Sequence, residues 1–379
     1  MGVDKITGEA TEIAAKISAH YVDNARQLPW RVPPHQSRKG ILPDPYHVWL
    51  SEIMLQQTTV AAVIGYFEKF VRRWPTVSDM AAAEESDILA AWAGLGYYAR
   101  ARNLFKCATH VTKKMDGIFP QTESELLDLP GIGPYTAAAI ATIAFGQRAV
   151  VVDANIERLV ARLYAISTPL PAGKKAINAA MDGLTPASGA GDFAQACMDI
   201  GASVCTARSP DCPNCPVRSH CQASAAGVME KFPVKPPKKA KPVRTGRFFW
   251  IESDGKILLV KRPGKGMLAG MRALPDDDWA AQKDGHGQAP FPGNWRVHEN
   301  IVQHSFTHFS LEVDLAVYHD DKIAINSDES RLAGLAEKAG MEPVWWPLDQ
   351  LPEAGLPTLF AKSANWAMKR KQILEKELQ

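Results

Sequence analysis

Two carboxylates, Glu52 and Asp153, stand where the sequence could support acid–base chemistry. Glu52 shares a helical stripe with Val48, Trp49 and Leu55, behind an Asp44-Pro45 pair that reads as N-cap and first helical residue. An acid on an apolar stripe is stripped of water, which raises its pKa and suits a proton donor near neutral pH. Asp153 precedes Ile156, Leu159, Val160 and Leu163, an apolar face of helical period, and there a carboxylate is either an N-cap or an exposed catalytic group. The positive end of that helix favours its ionisation. A glutamate on a solvated face and a merely capped helix would account for the same residues.

Other residue types in this region handle anions and metals. In Leu129-Pro-Gly-Ile-Gly-Pro-Tyr-Thr136, Gly131 and Gly133 can turn the backbone at positive φ and present N–H groups to a phosphate at the start of the next helix. Cys205, Cys212, Cys215 and Cys221 are spaced C-x6-C-x2-C-x5-C, with Pro210, Pro213 and Pro216 forcing a looped path between them. Four thiolates held close need a cation, and this spacing alone fits tetrahedral zinc or an iron–sulfur cluster. Cys107 and Cys197 fall in helical patterns and read as buried small side chains.

The elements that carry these groups divide the chain of 379 residues in two. From residue 10 to about 225 the pattern is helical with no convincing strand. Phe232 to Pro242 holds four prolines and four lysines and reads as an extended tether. Beyond it Phe309, Leu311, Val313, Leu315 and Val317 alternate with more polar residues, Lys256 to Val260 forms another strand, and Phe360 to Leu374 reads as a closing helix. The expected domains are 1–231, a linker at 232–246, and an α+β domain at 247–379. The formal net charge is only +2, yet Lys231, Lys235, Lys238, Lys239, Lys241, Arg244 and Arg247 crowd one stretch against Glu230, as a solvated linker or a contact to an anionic polymer. No apolar stretch approaches membrane-spanning length and no secretory leader is evident, so a cytoplasmic protein with reduced or metal-bound cysteines is expected.

The hairpin with its glycines, the aspartate twenty residues on and the cysteine spacing resemble the endonuclease III superfamily of base-excision DNA glycosylases, over roughly residues 25 to 225. The resemblance implies an all-α helix-hairpin-helix glycosylase domain whose cysteine quartet holds a structural, DNA-contacting [4Fe–4S] cluster. Leu28-Pro-Trp-Arg31, Asp44 to Thr58 and Gly94 to Asn103 are similar, in particular, to the MutY-type adenine glycosylases, which excise adenine opposite 8-oxoguanine. Lyase members of the superfamily carry a lysine at the position of Tyr135, and tyrosine cannot form an imine, so a monofunctional enzyme or one with weak lyase activity is implied. By this resemblance Glu52 protonates adenine at N7, Asp153 stabilises the oxocarbenium sugar, and Tyr135 and Asn155 complete the pocket. The family reads Val-Asp-Gly-Asn where this chain has Ala154, which questions the local backbone angle.

Reaching a base inside a duplex requires flipping it out. Gln57 and Tyr98 match the family's wedging positions, with Thr58 beside Gln57 among the DNA-binding residues; Trp30 and Arg31 resemble adenine-pocket contacts. Arg100 and Arg102 fit phosphate contacts. Lys261 to Pro275 resembles the start of a Nudix (MutT-like) fold, without the acidic signature of its hydrolases, so this domain is expected to bind and not hydrolyse. Phe306-Thr307-His308 stands for the family's Phe-Ser-His loop, which reads 8-oxoguanine. The implied partner is double-stranded DNA with A:8-oxoguanine or A:G mispairs, met by a monomer at the nucleoid of a bacterium. Two other readings remain: an endonuclease III-like glycosylase and lyase for oxidised pyrimidines, and a non-catalytic iron–sulfur lesion binder.

Overall fold

The computed structural model describes residues 3–237, 240–262, 267–318 and 342–377. Lys238 and Lys239 of the basic stretch and Pro263 to Gly266 of the Nudix-like loop lie outside these described residues. The chain divides into two compact units, Met1–Ala83 with Asn103–Lys238, and Glu84–Arg102 with Lys239–Gln379.

The first unit is helical, and no strand precedes Val243 among the described residues. Its site-bearing helices are α1 (Val3–Asn24), α2 (Pro45–Leu55), α3 (Glu123–Leu127), α4 (Pro134–Phe145), α5 (Ala154–Leu163) and α6 (Ala190–Ser203). Asp44 caps α2 by accepting from the Tyr46 N–H at 2.8 Å, with Pro45 in the first turn. Helix α4 is alanine-rich and buried from Thr136 to Ala144, and it ends at Gly146 in the left-handed conformation at φ 67°. That composition lets helices approach closely, because alanine keeps helical propensity while adding little bulk. At α6 the approach is tighter still: a Cβ on Gly201 would lie 2.6 Å from Cβ of Asn155 on α5. Asp153 caps α5 with its carboxylate, so Ala154 simply opens the helix and has no need of glycine's freedom.

The second unit is α+β. Strands β1 (Val243–Trp250), β5 (Trp295–Ser305) and β6 (Ser310–Tyr318) form one sheet in the order β1-β6-β5, with β1 and β6 parallel and β5 antiparallel to β6. Strands β2 (Glu252–Ser253), β3 (Lys256–Lys261), β4 (Arg272–Ala273) and β7 (Glu342–Pro347) form the other, in which β7 pairs antiparallel with β3. Helix α7 (Thr358–Glu377) closes the unit and sets Phe360 against Phe248, ring centroids 4.7 Å apart. Leu311, Val313 and Leu315 face this core as the period-two pattern predicts. Val317 keeps to this face, and at the strand's end the opposite face is covered too, where Ala316 and Tyr318 are buried with Phe249, Ile251 and Phe291. No helix among the described residues is long and apolar enough to cross a membrane.

Candidate active site

A cavity of about 960 Å³ opens in the helical unit, and eight of the sequence-predicted residues line it: Glu52, Tyr135, Asp153 and Asn155, with Trp30, Arg31, Gln57 and Thr58. Glu52 projects from α2 and is only 6 % exposed. The Tyr135 hydroxyl, from the first turn of α4, donates to its Oε2 at 2.8 Å. Burial pushes the Glu52 carboxyl up to about 7; the Tyr135 hydrogen bond opposes this, the Asp153 charge reinforces it, and the Arg31 charge opposes it. The phenol of Tyr135 is held well above its ordinary value, chiefly by its own burial.

Asp153 is the better solvated of the two by hydrogen bonds. Its Oδ1 accepts from the N–H groups of Asn155 and Ile156 at 2.9 and 2.7 Å, and its Oδ2 accepts from Asn155 Nδ2 at 2.8 Å. Burial nonetheless pushes its pKa up, against the pull of those donors and of Arg158. The Arg158 guanidinium donates to Asn155 Oδ1 at 3.0 Å, which leaves the amide NH₂ of Asn155 to face Asp153. Arg158 also donates to the carbonyls of Gly201 and Cys205, the latter at 2.7 Å.

The other predicted positions divide. Gly131 has φ 78°, and a Cβ there would lie 2.5 Å from Cβ of Asn103, so this position demands glycine. Gly133 is different: it is extended, at φ −99°, and serves as the N-cap of α4 with open space where a Cβ would stand. Gln57 is exposed and held at φ 56°, a strained conformation for a non-glycine residue. Trp30 lines the cavity while packing edge-on against Phe67 at 5.2 Å. Tyr98 does not reach solvent: it is 5 % exposed, whereas its neighbour Tyr97 is 50 % exposed at φ 49°, because the turn from Gly94 to Gly96 points the first ring outward. Arg100 is also turned inward, donating to the carbonyls of Leu95 and Gly96 between the Trp92 and Tyr97 rings, and Arg102 donates to the Ala269 carbonyl. Arg100 therefore holds the turn together, and both guanidiniums are engaged by backbone carbonyls.

In the second unit Phe306 stacks on Phe309 at 4.7 Å, while Thr307 and His308 are exposed between β5 and β6. Asp276, one of three consecutive aspartates, is buried against Arg262, and Asp277 accepts from the Gly287 N–H.

The four cysteines of the quartet line one cavity together with Arg162, Leu159 and Val217. Burial pushes the Cys215 thiol up to about 11, and Cys205, Cys221 and Cys212 facing it push the same way. Arg162, 1 % exposed, is the tie of this loop: Nη1 lies 3.3 Å from Cys205 Sγ and donates to the Thr206 carbonyl at 2.6 Å, Nη2 reaches the Ala207 carbonyl and Nε that of Met229. Deleting it removes the partner of several partly buried carbonyls at once, each costing about 1–3 kcal/mol where water cannot replace it. Arg162→Ala is therefore expected to lower the unfolding free energy by at least about 3 kcal/mol, read from urea denaturation followed by circular dichroism.

Sequence reasoning missed Arg26, Arg158, Arg162, Gln195 and Asp199. Gln195 and Asp199 carried a signal, since they are two buried polar residues four apart on the mostly apolar helix α6, and Gln195 lines the candidate cavity.

A glycine-turned hairpin leading into α4, a buried acid on α2 and a capping aspartate on α5 around one cavity define a base-excision glycosylase of the helix-hairpin-helix class. Comparison with known proteins agrees: residues 50–186 match the HhH-GPD superfamily base excision DNA repair protein family and residues 247–365 match the NUDIX domain family. The chain is 32 % identical over 351 residues to the adenine DNA glycosylase of Buchnera aphidicola subsp. Acyrthosiphon pisum, covering 89 % of this chain and 92 % of that protein. It is 34 % identical to the human adenine DNA glycosylase, over 80 % of this chain and 66 % of the human one. Among solved structures, a thermostable thymine-DNA glycosylase superposes with a TM-score of 0.50 at 27 % identity, covering 58 % of this chain and 98 % of that chain. The chain belongs to the adenine DNA glycosylase family, enzymes of base excision repair that hydrolyse the N-glycosyl bond of adenine in DNA.

Proposed function

We propose that this glycosylase removes adenine paired with 8-oxoguanine, and adenine opposite guanine, by flipping the base into the cavity at Glu52. The observation that carries the reading is the Tyr135–Glu52 hydrogen bond at 2.8 Å beside the hydrogen-bonded carboxylate of Asp153. Two acids in one pocket divide their roles when their surroundings differ. Glu52, dry and held near neutrality, keeps a proton to give to adenine N7, so the base leaves as a neutral molecule. Asp153, met by three N–H donors, faces the sugar as a carboxylate and offsets the positive charge that develops there. Tyr135 orients Glu52, and Asn155 orients Asp153.

Thr307 and His308, exposed beside the anchored Phe306, support reading of the base left opposite. Tyr97, exposed and strained, suits the wedge role better than buried Tyr98, and Gln57 keeps its own. Buried Asp276, tied to Arg262, supports a Nudix-like domain that binds without hydrolysing. The deciding experiment is single-turnover excision of adenine opposite 8-oxoguanine, guanine and cytosine. Fastest release opposite 8-oxoguanine is expected, and equal rates on all three would remove the reading. Borohydride trapping separates the lyase alternative, for which an efficient covalent complex is required.

Four thiols line one cavity beside the Arg162 guanidinium, a donor set that suits a thiolate-held metal centre, and the resemblance to the endonuclease III superfamily selects the iron–sulfur cluster over zinc. Cys205, Cys212, Cys215 and Cys221 would hold a [4Fe–4S] cluster there. When bound it supplies a rigid, DNA-facing loop and no hydrolytic chemistry. Stoichiometric iron and sulfide in purified protein are expected, and zinc instead would overturn this.

A proton donor that titrates at about 7 predicts a pH dependence. The folded pKa of Glu52 is raised, so its proton is held below about 7 and lost above it. Single-turnover rates should therefore form an alkaline limb that begins near that pH and falls about tenfold per unit beyond it. A profile flat to pH 9 would sink the acid role.

A further inference from the structure

We propose that Asp199 is a positioning residue of this reaction: through Arg31 it holds the pocket's cation in place and offset, so that Glu52 keeps its proton. This rests on the reading of Glu52 as the acid. Asp199 lies on α6, is 5 % exposed, and has no contact with the cavity's acids. Its whole carboxylate is spent on two arginines from the segment after α1. Arg31 Nη1 donates to both oxygens at 2.9 and 2.8 Å, and Arg26 donates to Oδ1 through Nε at 2.6 Å and to Oδ2 through its backbone N–H at 3.0 Å. Both arginines line the active cavity, and the Arg31 side chain is itself only 7 % exposed.

The arrangement matters because the reaction builds positive charge in that cavity, first on the protonated base and then on the sugar. A bare guanidinium on the wall opposes both and also favours loss of the Glu52 proton. The groups facing Glu52 are Tyr135 from α4, Asp153 at the head of α5 and Arg31, and Arg31 is the cation among them. Those facing Asp199 are Arg26, Arg31 and the Tyr21 phenol of α1. Asp199 cuts the net charge of the Arg26–Arg31 pair from two to one, and its carboxylate lies directly against the Arg31 guanidinium, so the positive field that Arg31 sends toward Glu52 is weakened. Asp199 thereby acts on the acid without touching it.

The test is the pH profile of single-turnover adenine excision by the full-length protein. Asp199→Asn keeps size and one acceptor oxygen but frees the Arg31 charge, and its alkaline limb is expected to move down by about one pH unit, a tenfold loss of rate above the limb. A limb that coincides with the wild type overturns the proposal. The double variant Asp199→Asn/Arg31→Gln removes the freed cation and should return the limb to at least its original position. A limb that stays low overturns the route through Arg31. Should Asp199→Asn fail to fold, Asp199→Glu, which keeps the charge, must show the wild-type limb, and a shifted one counts against us. Glu52→Gln run in parallel separates the two readings: near-normal excision there removes the acid itself, whereas lost excision with an unmoved Asp199→Asn limb removes only the role of Asp199.

Discussion

Glu52→Gln should slow single-turnover release of adenine by about 10²–10⁴-fold while leaving affinity for the lesion duplex within a few-fold of wild type. Glutamine matches the shape of the acid and keeps a carbonyl oxygen for the Tyr135 hydroxyl, which donates at 2.8 Å. It holds no transferable proton. The base must then depart with its electron pair unneutralised, and the loss falls on the chemical step alone. Excision kinetics and equilibrium binding to the same duplex separate the two effects. A large loss of binding would mean that Glu52 is structural, and a rate near wild type would mean that another group protonates the base. Tyr135→Phe is the milder companion, since it removes one hydrogen bond that lowers the Glu52 pKa, so the alkaline limb should rise.

Asp153→Asn is expected to cost about 10²–10³-fold in the same assay. The amide fits the space, but its NH₂ meets donors where the carboxylate met them: the N–H groups of Asn155 and Ile156 and the Asn155 side chain all point at it. The Asn155 side-chain donor is left without an acceptor, and the negative charge opposite the sugar is gone. Helix α5 keeps its cap, since asparagine caps about as well as aspartate and one oxygen accepts both backbone N–H groups, so thermal unfolding should shift by only a few degrees. A rate collapse with a small stability change is the expected signature. A stability loss that matched the rate loss would reduce Asp153 to a cap.

What could be read from the sequence follows the range of the interaction. Glu52 on its apolar stripe and Asp153 ahead of its helix are legible because period and capping are local, and Asp44-Pro45 and the alternation of β6 are legible for the same reason. Tyr98 misleads because the choice between adjacent rings is made by a turn containing Tyr97 at positive φ, which no periodic rule anticipates. Gly133 misleads in the other direction, since it was expected beside Gly131 as a positive-φ residue and instead caps α4 in an extended conformation. The partners of the arginines were illegible. Arg31 meets Asp199 across 168 positions of sequence and Arg162 meets the cysteine loop across more than forty, so their partners exist only once the helices have packed. A guanidinium on an amphipathic helix looks solvated until its buried acceptors are known.

Phe306 is seated on Phe309 and does not swing free, so Thr307 and His308 are carried on a stiff edge. A stiff edge gains nothing by lingering. If Thr307 and His308 meet DNA as proposed, contact with an ordinary base pair would release no ordering step and trap no induced fit, so the dwell there would be short. Under the proposed reading, the speed of search along undamaged DNA would depend on a stacked phenylalanine pair remote in sequence from Glu52 and Asp153.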